Sequence, residues 1–208
     1  MSLELWLIFL VVSIAPVISP GPGILFSITN ALRYGPKTTI LIGCVNAFGI
    51  LVVALAVGLG LGALMAASAF AYLALKLAGG AYLVWLGIRI WRDRSAFLVD
   101  PGKPSSKPPI RALTVQALAI SLTNPKAIVA LAALLPPFLN ADAPLAPQVW
   151  ILATTYAVLC AANHVLIAYA GGWLRRFLKA PHRVRAVKRV TGGTFIGFGL
   201  ALVASGRP

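Results

Sequence analysis

Polar side chains are so thinly spread along this chain that the informative pattern is where the apolar runs stop. Six runs stand out, at about 3 to 32, 38 to 65, 69 to 91, 111 to 138, 147 to 172 and 187 to 206. Each can cross a hydrocarbon core of about 30 Å as a helix, and an isolated span must satisfy its own backbone polar groups there. The pattern predicts an all-α polytopic membrane protein with six transmembrane helices. The polar, proline-rich stretch "DPGKPSSKPP" (100–109) separates the third run from the fourth. We therefore read residues 1–208 as one membrane domain: a first half over about 1–92, a linker over about 93–110 and a second half over about 111–208.

The halves echo one another. "LKLAGGAYLVWLG" (75–87) matches "VKRVTGGTFIGFG" (187–199) in character, setting Lys76 against Arg189, Gly79 and Gly80 against Gly192 and Gly193, and Tyr82 against Phe195. Each half also opens on a run that interrupts itself, at "SPGP" (19–22) and at "TNPKA" (123–127). Three spans per half force the second half to enter from the opposite side. The expected architecture is thus two inverted three-helix repeats with helices 1 and 4 broken.

Proline lacks an N–H and displaces the carbonyl four residues back, so Pro16, Pro20 and Pro22 free the carbonyls of Val12, Pro16 and Ile18, and Pro125 frees that of Ser121. In hydrocarbon such a group must be buried in protein, wetted or used. A half-helix that starts near the mid-plane also presents free N–H groups, a positive pole of about half a charge. Two such poles, from residues 23 and 126 onward, suit a carboxylate, and the carbonyls ending the preceding half-helices suit an ammonium. A zwitterion would satisfy both. The plainer reading is that these prolines only kink their helices.

Charge sharpens the first reading. A net charge of +14 would suit nucleic acid, but its placement points elsewhere. Arg33 and Lys37 follow the first run, a cluster from Arg89 to Arg111 follows the third, and another from Arg175 to Arg189 follows the fifth. These loops share one side, so the positive-inside rule puts loops 1–2, 3–4 and 5–6 in the cytoplasm and both termini outside. The basic loops would attract anionic membrane lipid, not nucleic acid.

Lys126 is different, because an ammonium deep in a bilayer costs about 3 kcal/mol or more and marks a pathway or a partner. The four acids, Glu4, Asp93, Asp100 and Asp142, lie at ends or in loops, so a substrate carboxylate is one partner and snorkelling to an interface is the alternative. Asn30, Asn46, Gln116, Asn124, Asn163 and His164 complete the polar set, the asparagines as substrate contacts or as interhelical hydrogen bonds. His164 is the one side chain in the spans whose unperturbed titration falls near neutral pH, which makes it the candidate proton relay; a structural hydrogen bond is the alternative. Gly58 with Gly62, and Gly193 with Gly197, have the spacing of close helix packing.

The stretches "SPGPGILFSITNALRYGPKTTILIG", "LKLAGGAYLVWLGIRIWR" and "SLTNPKAIVALAALLPPFL" together resemble the lysine-exporter superfamily, in particular its LysE- and RhtB-type amino-acid exporters. The resemblance covers essentially the whole chain. It implies a secondary active exporter of amino acids or related small metabolites in the bacterial inner membrane, driven by the proton motive force. It implies no enzyme activity, cofactor or metal, and leaves homo-oligomers open. The family's PGP falls on Pro20, Gly21 and Pro22, its NPK on Asn124, Pro125 and Lys126, and its span-two glycines on Gly43 and Gly49. The expected substrate residues are therefore Pro20, Gly21, Pro22, Gly23, Asn46, Asn124, Pro125 and Lys126, with His164 for proton coupling. The segment "CVNAFG" (44–49) departs from commoner members, so Asn46 is a candidate for tuning the substrate.

Two related branches supply alternatives. A thiol–disulfide electron carrier needs paired cysteines beside the prolines, whereas Cys44 and Cys160 fall in spans two and five. A divalent-cation transporter wants oxygen ligands, usually carboxylates, and the spans contain none.

Overall fold

The computed structural model describes residues 1–19, 21–67, 69–92, 109–140, 142–178 and 180–204. Within them every regular element is helical: α1 (Leu3–Ile18), α2 (Pro22–Ala67), α3 (Ala69–Arg92), α4 (Ile110–Leu122), α5 (Pro125–Leu134), a 3₁₀ turn (Pro136–Phe138), α6 (Leu145–Leu178) and α7 (Pro181–Ala204). The linker between the halves falls largely outside the described residues.

The first apolar run is broken where its prolines lie. Ser2 caps α1 through its side chain, and α1 ends with the Ser19 N–H on the Ala15 carbonyl. Pro22 then opens α2 as its first residue, a position where a missing N–H loses nothing. Within α2, Gly35 stands at φ 77°, a conformation that disfavours side chains bearing a Cβ, and Pro36 after it excludes the helical region for Gly35. The helix is therefore two limbs, 22–34 and 36–67, and Gly35 is the corner between the first two expected spans. The Thr39 hydroxyl caps this corner by donating to the Gly35 carbonyl at 2.9 Å.

The fourth run is broken as well. Helix α4 closes with the Thr123 N–H on the Ala119 carbonyl, Asn124 caps α5, and the two axes meet at 45°. By length and apolarity, Pro22–Gly60 and Leu145–Gly171 qualify as spans among the described residues, and the bent pair Ile110–Leu122 with Lys126–Phe138 makes a third. Breakage shortens α1 to 16 residues, too short to count by itself.

The long limb of α2 packs against α6, and α3 against α7, with glycines setting the distance. A Cβ on Gly43 would lie 2.5 Å from the His164 Cβ, and one on Gly58 would lie 2.6 Å from Val149. Residue numbers rise on one helix as they fall on the other, so the pair is antiparallel. The α3–α7 contact repeats this: a Cβ on Gly87 would lie 2.6 Å from the Gly192 carbonyl oxygen, and one on Gly199 would lie 2.6 Å from that of Gly80. Of the expected Gly193 and Gly197 pair, Gly197 faces open space, and Gly192 and Gly199 make the close approach instead.

The main buried cluster joins Phe9 of α1, Ile50 of α2, Leu131 of α5, Phe138, and Val149 and Leu152 of α6. The Phe9 and Phe138 rings meet edge-on at 5.1 Å. This cluster fastens the first half to the second beside the two breaks.

Candidate functional site

The two breaks meet. Lys126, the second residue of α5, extends its ammonium to the Ser19 carbonyl at the end of α1, and the Nζ stands 5.7 Å from the centre of the Phe195 ring on α7. A Cβ on Gly21 would come within 3.0 Å of the Lys126 Cδ. Gly23 repeats the device one residue beyond the proline, since its Cβ would lie 3.3 Å from the Asn46 amide nitrogen. Neither glycine has positive φ. Glycine is there to let a polar side chain of another element approach the backbone.

Main-chain groups freed by the breaks find partners from the opposite half. The Asn163 amide of α6 donates to the Val17 carbonyl at 3.3 Å, beside the Ser19 carbonyl that takes Lys126. Asn124 accepts the Lys126 N–H at 3.1 Å, capping α5. At the start of α2 the Leu25 N–H returns to the Gly21 carbonyl at 2.9 Å, while the Gly23 and Ile24 amides have no carbonyl one turn earlier within the helix.

Behind the breaks lies a polar triad. Ser27 Oγ is 2.7 Å from His164 Nδ1, His164 Nε2 is 3.0 Å from Asn46 Oδ1, and Asn46 Nδ2 donates to the Ala117 carbonyl at 3.3 Å. All three side chains are buried. The last bond sets the amide orientation, so the Asn46 oxygen accepts from the ring Nε2–H, and both ring nitrogens have a hydrogen-bond partner. The histidine ties together α2 and α6, and through Asn46 also α4.

These groups surround a cavity of about 50 Å³ lined by Gly21, Gly23, Asn46, Asn124, Lys126, Asn163 and His164, with Tyr156 and Cys160 on one wall. It is large enough to admit water. Six of the nine expected site residues line it. Pro22 does not: its ring is exposed, and its contribution is to start the second half-helix. Pro125 opens α5 in the same way, and Pro20 lies outside the described residues. Sequence reasoning passed over Ser27, Tyr156 and Cys160. A signal was present, because Tyr156, Cys160, Asn163 and His164 recur at helical spacing on one face of α6. Cys160 is the one thiol among the cavity's lining residues, and Cys44 is exposed on α2. Among the described residues no three of His, Cys, Asp and Glu gather as metal ligands would.

A helical membrane protein with two interrupted helices meeting in a polar cavity has the form of a transporter. The chain belongs to the LysE type translocator family, whose model matches residues 14–206, and its members are transporters rather than enzymes. It is 34% identical over 209 residues to an uncharacterized membrane protein of Vibrio cholerae, with 99% of each chain covered. A homoserine/homoserine lactone efflux protein of Salmonella typhimurium is likewise 34% identical, over 100% of this chain and 99% of its own. An uncharacterized membrane protein of Bacillus subtilis is 27% identical, over 88% of this chain and 91% of its own. No solved structure matches significantly.

Proposed function

We propose that this protein is a secondary exporter of an amino acid or closely related small metabolite, homoserine-like in size, bound where the two broken helices meet. The observation that carries the reading is Lys126 of the second half reaching the Ser19 carbonyl of the first. The cavity then offers a zwitterion an ammonium and helix N-terminal amides for its carboxylate, and carbonyls for its amine. The relative named as a homoserine/homoserine lactone efflux protein, matched over its full length, supports the substrate class.

In this reading α1 with the first limb of α2 is span one, the second limb is span two, and α4 with α5 is span four, completing six spans in two inverted halves. The glycine contacts support the repeat in a register one residue from that expected. Gly80 abutting Gly199 and Gly87 abutting Gly192 exchange under a two-fold axis when Gly80 is equivalent to Gly192. The basic loops face the cytoplasm of a bacterial inner membrane, and both termini lie outside.

His164 carries the coupling proton. Protonation at Nδ1 turns that nitrogen from acceptor to donor, so the Ser27 hydroxyl must reverse and give its hydrogen to another acceptor. Ser27 lies one helical turn beyond Gly23, so the reversal is delivered beside the first break. Reconstituted vesicles loaded with an amino-acid panel that includes L-homoserine test the function. At least one should leave faster through the protein, and faster still when protons can flow in exchange. Release no faster than from protein-free vesicles would overturn it.

A further inference from the structure

Helix α6 runs alongside α1 and then alongside the first limb of α2. Trp6 Nε1 donates to the Thr155 hydroxyl at 3.0 Å, the Val17 carbonyl takes Asn163, Ser27 meets His164, and a Cβ on Gly171 would lie 3.2 Å from that of Ala31. Residue numbers rise together on the two sides, so α1 and the limb pass the cavity in the same direction. Ser13 lies before the cavity, one turn from Pro16 and Val17 in its lining, and Ser27 and Asn30 lie one and two turns beyond Gly23, which also lines it.

Hydroxyls elsewhere in the helices turn back on their own chain. Those of Thr29, Thr39, Ser121, Thr123 and Thr155 each donate to a carbonyl three or four residues earlier. The first span departs from this habit. Among the described residues, the buried side-chain atoms without a hydrogen-bond partner are Ser13 Oγ, Ser19 Oγ and Asn30 Oδ1, all on this span, and the three residues are at most 2% exposed. Each such atom costs about 1–3 kcal/mol if it stays dry, and three along one face require a common cause. Aromatic rings packed in apolar clusters stop the column at both ends, Phe9 one turn before Ser13 and Tyr34 one turn beyond Asn30.

We propose that this face of the first span lines the translocation path, with Ser13 and Asn30 as its polar stations on the two sides of the cavity, wetted when the path opens. This rests on the exporter reading and adds the route by which a small polar solute reaches and leaves the cavity. Ser13 offers a donor and an acceptor, and Asn30 an acceptor, so a solute shedding water on the way keeps hydrogen-bond partners.

Cysteine accessibility of the full-length protein in membrane vesicles tests the route. In a Cys44→Ser background, Ser13→Cys and Asn30→Cys are treated from each face with the anionic, membrane-impermeant 2-sulfonatoethyl methanethiosulfonate. Peptide mass spectrometry reads the modified site, so Cys160 stays in place. Ile14→Cys, toward lipid, and Ala54→Cys, in the dry core, are the references. Position 13 should react at least tenfold faster than both references from the face that holds the N-terminus, and position 30 from the face that holds the Gly35 corner. Ser19→Cys, expected to exceed the references tenfold from one face or the other, carries the test with Ser13→Cys if Asn30→Cys does not fold. Rates at these positions equal to the references overturn the route, and amino-acid efflux from wild-type vesicles then leaves the exporter standing. A wild type that exports no amino acid of the panel overturns both.

Discussion

At the scale of single residues, the cavity combines the Lys126 ammonium with a buried hydrogen-bonded network. Lys126→Ala removes a charge-assisted hydrogen bond of about 1.5–3 kcal/mol, so export should fall about 10- to 100-fold. Membrane insertion, checked by protease protection, should be unchanged; wild-type flux would remove Lys126 from the site. His164→Ala should weaken the response of flux to an imposed pH gradient, read by a pH-sensitive dye in vesicles, and Ser27→Ala should do so to a smaller degree. Full coupling in both would place the proton path elsewhere. Lys126 and His164 were legible in the sequence because a charge or an imidazole in an apolar run needs a reason. Ser27 and Tyr156 were not, because a serine in a membrane helix normally satisfies itself on its own turn, and a tyrosine reads as packing.

At the scale of elements, glycines decide how near the helices come. Gly43→Ala sets a Cβ 2.5 Å from that of His164, and overpacking of this kind costs about 1–3 kcal/mol. The variant should melt lower in detergent, and its proton coupling should suffer through the displaced histidine. Gly87→Ala meets main chain, at 2.6 Å from the Gly192 carbonyl oxygen, so α3 and α7 must part. It should destabilise the protein by a similar amount with no direct effect at the cavity. Thermal unfolding followed by tryptophan fluorescence reads both. The breaks were visible in the sequence because proline has a fixed backbone chemistry. Which glycines face which helix was not, since Gly197 and Gly199 look alike until the helix rotation is known, and Gly197 meets nothing within 4 Å.

At the scale of the molecule, the halves are joined along the α2–α6 and α3–α7 seams, by the core around Phe9 and Phe138 and by the cavity where the breaks meet. Rocking one half against the other would exchange the exposed side of that cavity, and Lys126 and Asn163, each bonded across it to α1, are the contacts the motion must remake. Six runs and their proline breaks were readable as membrane architecture from hydropathy alone. The meeting of the breaks was expected from the proposed mirroring of the halves, whereas which glycines abut which helix awaited the structure.

The central claim is that substrate sits where the two breaks converge, and the protein carries its own reporter there. Cys160 lines the cavity, and Cys44, the other of the chain's two cysteines, can be removed as Cys44→Ser. The rate at which a small methanethiosulfonate modifies Cys160 in that variant, with and without a transported amino acid at saturating concentration, is the direct test. The account predicts that bound substrate slows the reaction several-fold. An unchanged rate at a concentration that saturates transport would contradict it.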